Sequence, residues 1–201
     1  DHRAIDLSMR LAAPLAPGHL LGTDELGRDV LARLLNGMRW SVGSALCATL
    51  IAFSIGTTFG LAAAHKGAWL GGALKLLTTF TQSFPSFVMA VTVIALLGDS
   101  GFWAVTLTLG LVTWPVFSRV VYAEASSLFQ REYVQAAEMT GMSVVRLYAH
   151  HLLPALAPTL SVLVVFHCAE MIVAESALSF RGIGAPLGAA TWGAMLSEGR
   201  A

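Results

Sequence analysis

Five side chains able to do chemistry stand together in an otherwise apolar stretch: His167, Cys168, Glu170, Met171 and Glu175. At the helical period His167, Glu170 and Met171 share a face, and Glu175 follows Met171 by four residues. Charged groups within a membrane are costly and tend to face a cavity or a partner, so this face is a candidate lining for a translocation path. Hydrogen bonding between helices is a second use, and transient metal coordination by imidazole, thioether and carboxylate a third. Mixed ligands on one helix do not define a coordination geometry, so no metal site is assigned. Other chemistry has no foothold. The chain contains no G-x-x-x-x-G-K-[ST] phosphate loop and no G-x-S-x-G nucleophile turn.

The elements that must position these residues are apolar. Of 201 residues, 56% are hydrophobic and only 12% charged, against about 25% charged in a soluble domain. Mean hydropathy is +0.70. Four runs reach the length of a membrane span: Trp40–Ala64, Leu74–Leu97, Phe102–Tyr122 and Ala155–Leu178. The expected fold is therefore all-α and integral to a membrane. Pro85, Pro115 and Pro158 lie within or at the ends of these runs, where prolines usually kink helices. Cys47 and Cys168 read as small buried hydrophobes and not as a disulfide framework. A formal net charge of +0 argues against nucleic acid as a partner.

Between the third and fourth runs lies one polar, helix-forming passage, Glu132 to Pro154. Its pattern predicts a short helix over Glu132–Met139 and a second over Ser143–His150, with Gly141 supplying the turn. Val144, Val145, Tyr148 and Leu152 are expected to form the apolar face of the second helix. Ala136 and Ala137 are small enough to admit a close neighbouring surface, and Pro154 is expected to end the second helix. A helix pair projecting from a membrane suits docking into a groove of a soluble partner.

This passage resembles the EAA loop of bacterial ABC importer permeases, which reads E-A-A, three residues, G, nine residues, I, one residue, L-P. Gln135, Ala136, Ala137, Gly141, His151, Leu153 and Pro154 fall at those spacings; Gln135 replaces the acid and His151 the aliphatic residue. Gly22-Thr23-Asp24-Glu25-Leu26-Gly27-Arg28-Asp29 is similar to the G-T-D-x-x-G-R-D motif of the dipeptide, oligopeptide and nickel branch. Trp114, Pro115 and Arg119 resemble the end of the span before the loop. Glu175, Leu178, Ser179, Phe180 and Gly182 resemble E-x-x-L-S-F-L-G with Arg181 in place of Leu, and Trp192, Gly193 and Met195 resemble W-G-x-M. The resemblance runs from about Gly22 to Met195 and implies the middle of a six-span subunit.

By that resemblance, residues 123–154 form a cytoplasmic coupling loop within a core over residues 40–178. Residues 1–39 form an external segment and residues 179–201 an external loop. Thr23 or Asp24 is expected to cap an amphipathic elbow helix that turns into the membrane near Gly37, with Asp24/Arg28 and Asp29/Arg33 paired along it. The positive-inside rule opposes this orientation: Lys66, Lys75, Arg119, Arg131 and Arg146 lie inside, against Arg3, Arg10, Arg28, Arg33, Arg39, Arg181 and Arg200 outside. The resemblance implies a multi-pass protein of the bacterial inner membrane, with a second homologous permease, two cytoplasmic ATPase subunits and an external substrate-binding protein as partners. It implies no cofactor on this chain, with ATP hydrolysed on the separate subunits. The competing expectation is an ion-coupled secondary transporter using Glu170 and His167 as a proton relay.

Overall fold

The computed structural model describes residues 4–65, 68–98, 101–184 and 188–200. Arg3, Lys66 and Ser100 lie outside the described residues. After a 3-10 turn at Leu7–Met9 the helices are α1 (Val30–Ala64), α2 (Ala68–Gln82), α3 (Ser86–Leu97), α4 (Phe102–Leu128), α5 (Glu132–Met139), α6 (Val144–Leu147), α7 (Leu153–Phe180) and α8 (Trp192–Glu198). Among the described residues the only β pairing is two isolated bridges, Ala16 with His19 and Thr23 with Asp29. The fold of the described residues is all-α.

Among the described residues three helical stretches are long and apolar enough to cross a membrane: Val30–Ala64, Phe102–Leu128 and Val144–Phe180. The expected second span is instead a broken pair, Gly71–Gln82 and Ser86–Leu97, bent by 85°. The break falls before Pro85, whose ring disfavours helical backbone in the residue ahead of it. Pro115 and Pro158 lie inside α4 and α7, which continue through them.

Two expected boundaries are corrected. No separate elbow helix precedes the first span; α1 starts at Val30 and passes through Gly37 unbroken. Asp29 is the residue that caps it, its Oδ1 accepting the Ala32 N–H at 2.9 Å, as an N-cap does at the third helical position. Pro154 does not end the second loop helix. A π-turn over Tyr148–Leu152 joins α6 to α7 without a gap. The wider π-turn accommodates a proline whose ring would clash with the preceding turn of a regular helix.

The chain divides into two compact units, Asp1–Cys47 with Val91–Thr106 and Glu170–Ala201, and Ala48–Ala90 with Leu107–Ala169. In the second unit the core is built from Ala52 and Leu61 of α1, Trp114, Phe117, Val121 and Ala125 of α4, and residues of the polar passage and early α7. Small residues let α1 and α4 meet closely. A Cβ on Gly60 would sit 2.7 Å from the Ser118 carbonyl oxygen and from the Val121 Cβ. Gly56, one turn earlier, would collide with the backbone of Trp114. This G-x-x-x-G arrangement is a common device for close helix crossing where water supplies no driving force. Phe53 on Phe117 and Phe59 on Trp114 fill the seam edge-to-face, with ring centroids 5.7 and 5.0 Å apart.

The first unit holds the N-terminal segment, the start of α1, the ends of α3 and α7, and α8. Trp192 of α8 donates from Nε1 to the Leu34 carbonyl at 3.1 Å, and the helix is capped by Thr191, whose Oγ1 accepts the Ala194 N–H at 3.1 Å. Gly37 is required here: a Cβ would lie 2.9 Å from the Ala190 carbonyl oxygen.

Candidate functional site

The polar passage forms a compact helical hairpin with one side anchored in the core and one side bare. α5 turns Val134 and Ala137 inward, both into the core of the second unit. Gln135 and Ala136 are exposed, as are Tyr133 and Met139, the latter to 86%. α5 ends in a Schellman motif: Met142 N–H reaches the Ala137 carbonyl at 3.3 Å and Gly141 N–H the Glu138 carbonyl at 3.0 Å. Gly141 has φ +75°, the left-handed conformation that the motif requires at this position, and open space where a Cβ would stand.

The second helix turns differently from the expected face. Leu147 and Leu152 are buried, while Val145 is 79% exposed and Val144 is exposed beside it. Burial at 147 and 152 follows the five-residue step of the π-turn. Tyr148 is half-buried, its Oη donating to the Leu61 carbonyl at 3.3 Å. His151 is half-buried, its ring 6.2 Å from that of Tyr133; Leu153 and Pro154 are exposed. The structure thus separates the seven loop residues. Gln135, Ala136, Leu153 and Pro154 face outward, Ala137 packs inward, Gly141 sets the turn, and His151 lies between the two helices.

One residue of this assembly escaped the sequence reading. The His65 ring at the end of α1 lies 5.7 Å from that of Phe129 and 5.9 Å from that of Tyr148, edge-on to both. With the Tyr148 hydrogen bond it seats the loop on the end of the first span. Only contacts distant in sequence, with Phe129 and Tyr148, mark it, and no local motif does.

On α7 the candidate pathway residues fall into different surroundings. His167 is buried in the second unit, its Nδ1 3.4 Å from the Thr49 Oγ1 and its ring 4.9 Å from that of Phe117. Its Nε2 has no partner among the described residues. In the first unit Glu170 is exposed, whereas Met171 and Glu175 are buried. The Ser179 hydroxyl donates to Glu175 Oε1 at 2.6 Å, and Oε2 is without a hydrogen bond among the described residues. His167 and Glu170 therefore do not share an environment. No group of three or more His, Cys, Asp or Glu side chains able to hold a metal gathers among the described residues.

In the first unit the Gly22–Asp29 motif builds a charge cluster. Asp24 Oδ2 accepts from Arg28 Nε at 2.7 Å and from Arg33; Glu198 Oε2 accepts from the same two guanidinium groups at 2.8 and 2.6 Å. Arg33 is only 4% exposed, and its buried charge is held by two carboxylates. Burial works to raise the Asp24 carboxyl, but hydrogen bonds from Arg28, Leu26 and Arg33 outweigh it and hold the group below its ordinary value of 3.8. Asp29 does not pair with Arg33 as expected. It takes the Ala32 N–H and lies 2.9 Å from His19, and those two hydrogen bonds hold its carboxyl low.

Comparison with known proteins matches residues 56–200 to the family described as binding-protein-dependent transport system inner membrane component. The nickel transport system permease protein NikC of Escherichia coli (strain K12) is 34% identical over 200 residues, covering 100% of this chain and 72% of the relative. The dipeptide transport system permease protein DppC of Alkalihalophilus pseudofirmus is 35% identical over 194 residues, covering 96% of this chain and 63% of the relative. The glutathione transport system permease protein GsiD of Pectobacterium atrosepticum is 31% identical over 191 residues, covering 95% and 63%.

Proposed function

Because the chain belongs to the inner-membrane permease family of binding-protein-dependent ABC importers, in its peptide and nickel branch, we propose that it couples ATP hydrolysis to solute entry through the α5–α6 hairpin. The single observation that supports this is the two-sidedness of the hairpin. Tyr133, Ala136, Met139 and Val145 present a bare, mostly apolar surface while Val134, Ala137, Leu147 and Leu152 tie the same helices into the span core. A push on the outer surface is transmitted to α4 and α7 as a rigid body, the form in which such machines switch between packings.

The partners in this reading are a second, homologous permease, two cytoplasmic ATPase subunits docking on the hairpin, and an external protein that delivers substrate. The chain sits in the bacterial inner membrane, carries no cofactor and leaves ATP hydrolysis to the ATPase subunits. Its cargo is a di- or oligopeptide, or nickel held in a chelate, after the named cargoes of its relatives. A proton relay through Glu170 and His167 draws no support, since the first is exposed and the second buried.

The test is uptake by vesicles holding the assembled complex. Accumulation of cargo should require internal ATP and the binding protein and should ignore a collapse of the proton gradient. Uptake that follows the proton gradient without any ATPase subunit would replace this reading with the secondary transporter.

A further inference from the structure

The corner between α2 and α3 carries polar chemistry that the coupling hairpin does not use. Ser83, Phe84, Pro85 and Ser86 are all exposed at a break within an apolar span. Non-helical backbone at membrane depth is tolerated only where protein buries it or a water-filled cavity meets it. Two adjoining cavities open here. One of about 620 Å³ is lined by Thr79, Gln82, Ser83, Ser86 and Arg119 among others. The second, of about 260 Å³, shares Thr79 and Arg119 and adds Lys75, Thr78, Ser118 and Tyr122.

Both cations lie within helices that belong to spans, and among the described residues no carboxylate lines either cavity. Lys75 rests its ammonium 4.2 Å from the centroid of the Tyr122 ring, and among the described residues neither Lys75 nor Arg119 is in an ion pair. Gln82 Oε1 is buried without a hydrogen-bond partner among the described residues. Lys75 and Arg119 fall inside the apolar runs Leu74–Leu97 and Phe102–Tyr122, and a charge so placed faces water or a partner.

We infer that the α2–α3 corner is a wetted stretch of the translocation path, and that Arg119 with Lys75 receives a carboxylate of the passing solute. The proposal rests on the importer reading above and specifies its cargo: a solute bearing a free carboxylate, as a peptide terminus or a polycarboxylate metal chelate does. The guanidinium offers paired N–H donors that match a carboxylate, while the ammonium adds a point charge. The hydroxyls of Thr79, Ser83 and Ser86 supply weaker partners along the trough, which keeps the anion from being held too tightly to leave.

The experiment uses the importer assembled with its partner subunits and binding protein in lipid vesicles, with Cys47 and Cys168 replaced by Ala and Ser83→Cys introduced; Ser86→Cys serves as a second position. The new thiol is reacted with anionic ethylsulfonate and cationic ethyltrimethylammonium methanethiosulfonates, each normalised to a free thiol. The anionic reagent should react faster by about tenfold, the lower end of what a one-signed cleft gives, and Arg119→Gln with Lys75→Gln should erase that preference. Failure of both reagents to react at both positions overturns the wetted path. An anionic preference that survives neutralisation of both cations overturns the receptor. A preference seen in phosphatidylcholine but lost when phosphatidylglycerol is added assigns the cations to a lipid headgroup and also overturns it. Binding-protein-stimulated ATP hydrolysis by the same vesicles reports separately on the importer reading.

Discussion

Gly141 offers the sharpest perturbation of the α5–α6 hairpin, because its cost is purely one of backbone. Its φ of +75° puts it in the left-handed region, and nothing lies within 4 Å of the site a Cβ would take. A substituted side chain therefore meets no clash, and the penalty is the conformational one, about 1–2 kcal/mol for an L residue. Relief of that strain breaks the Met142-to-Ala137 and Gly141-to-Glu138 hydrogen bonds that close α5. A change of one to two kcal/mol shifts the balance between closed and frayed hairpin by roughly five- to thirtyfold. Gly141→Ala should lower binding-protein-stimulated ATP hydrolysis by up to that factor in reconstituted vesicles. Gly141→Val should lower it further, since a branched side chain resists this backbone more strongly. Gly141→Asn should stay within a few fold of the parent, because Asn visits this conformation with little strain. Equal activity in all four proteins, or an Asn variant as impaired as the Val variant, would refute the argument.

The neighbouring alanines should part company. Ala136→Glu is expected to uncouple ATP hydrolysis while leaving the thermal midpoint of the purified subunit within a few degrees, and Ala137→Glu should lower the midpoint itself, because Ala137 is only 9% exposed and a carboxylate there would be buried unpaired. The charge cluster around Arg33, with the neighbouring Asp29, should be pH-sensitive in one direction: carboxyls held below 3.8 contribute stability that is complete above that value and is lost as pH falls through their folded values. Hydrogen-exchange protection of the α8 amides, relative to the intrinsic rate at each pH, should therefore be flat down to about pH 4 and fall below it, with Asp24→Asn lowering it already at neutral pH. Orientation is read by an impermeant maleimide in a background lacking Cys47 and Cys168. Ser197→Cys should be labelled from outside and Ser143→Cys should not, and the reverse pattern would side with the arginine count.

How much of this was legible depends on the range of the interaction concerned. Helix α5 could be bounded from its own residues, because Gly141 and the polar flanks act within a turn. Which face it buries could not, since eight residues span barely two turns and Ala136 and Ala137 differ only in what the core presents to them. Val145 was read as inward for the same reason; the π-turn that brings Leu152 under Leu147 changes the period on which that reading relied. Thr23 or Asp24 is the cap the local sequence offers, yet Asp24 is drawn into the cluster with Arg28, Arg33 and Glu198, and Asp29 caps α1 instead. Glu198 is 165 residues from Arg33, and no local pattern announces such a partner. On α7, spacing alone put His167 beside Glu170. Burial separates them because the helix turns His167, Met171 and Glu175 inward at steps of four.

The claim that the bare side of the hairpin seats an ATPase subunit is tested most directly by cross-linking in assembled vesicles. Cysteines at Met139 and Val145, which are 86% and 79% exposed, should each join to an ATPase subunit through a short bifunctional thiol reagent, with a yield that changes on adding ATP. A cysteine at Val173, also exposed at 69% but on α7, should not. Cross-linking at Val173 without any at Met139 or Val145, in a complex that still hydrolyses ATP on demand, would contradict the account.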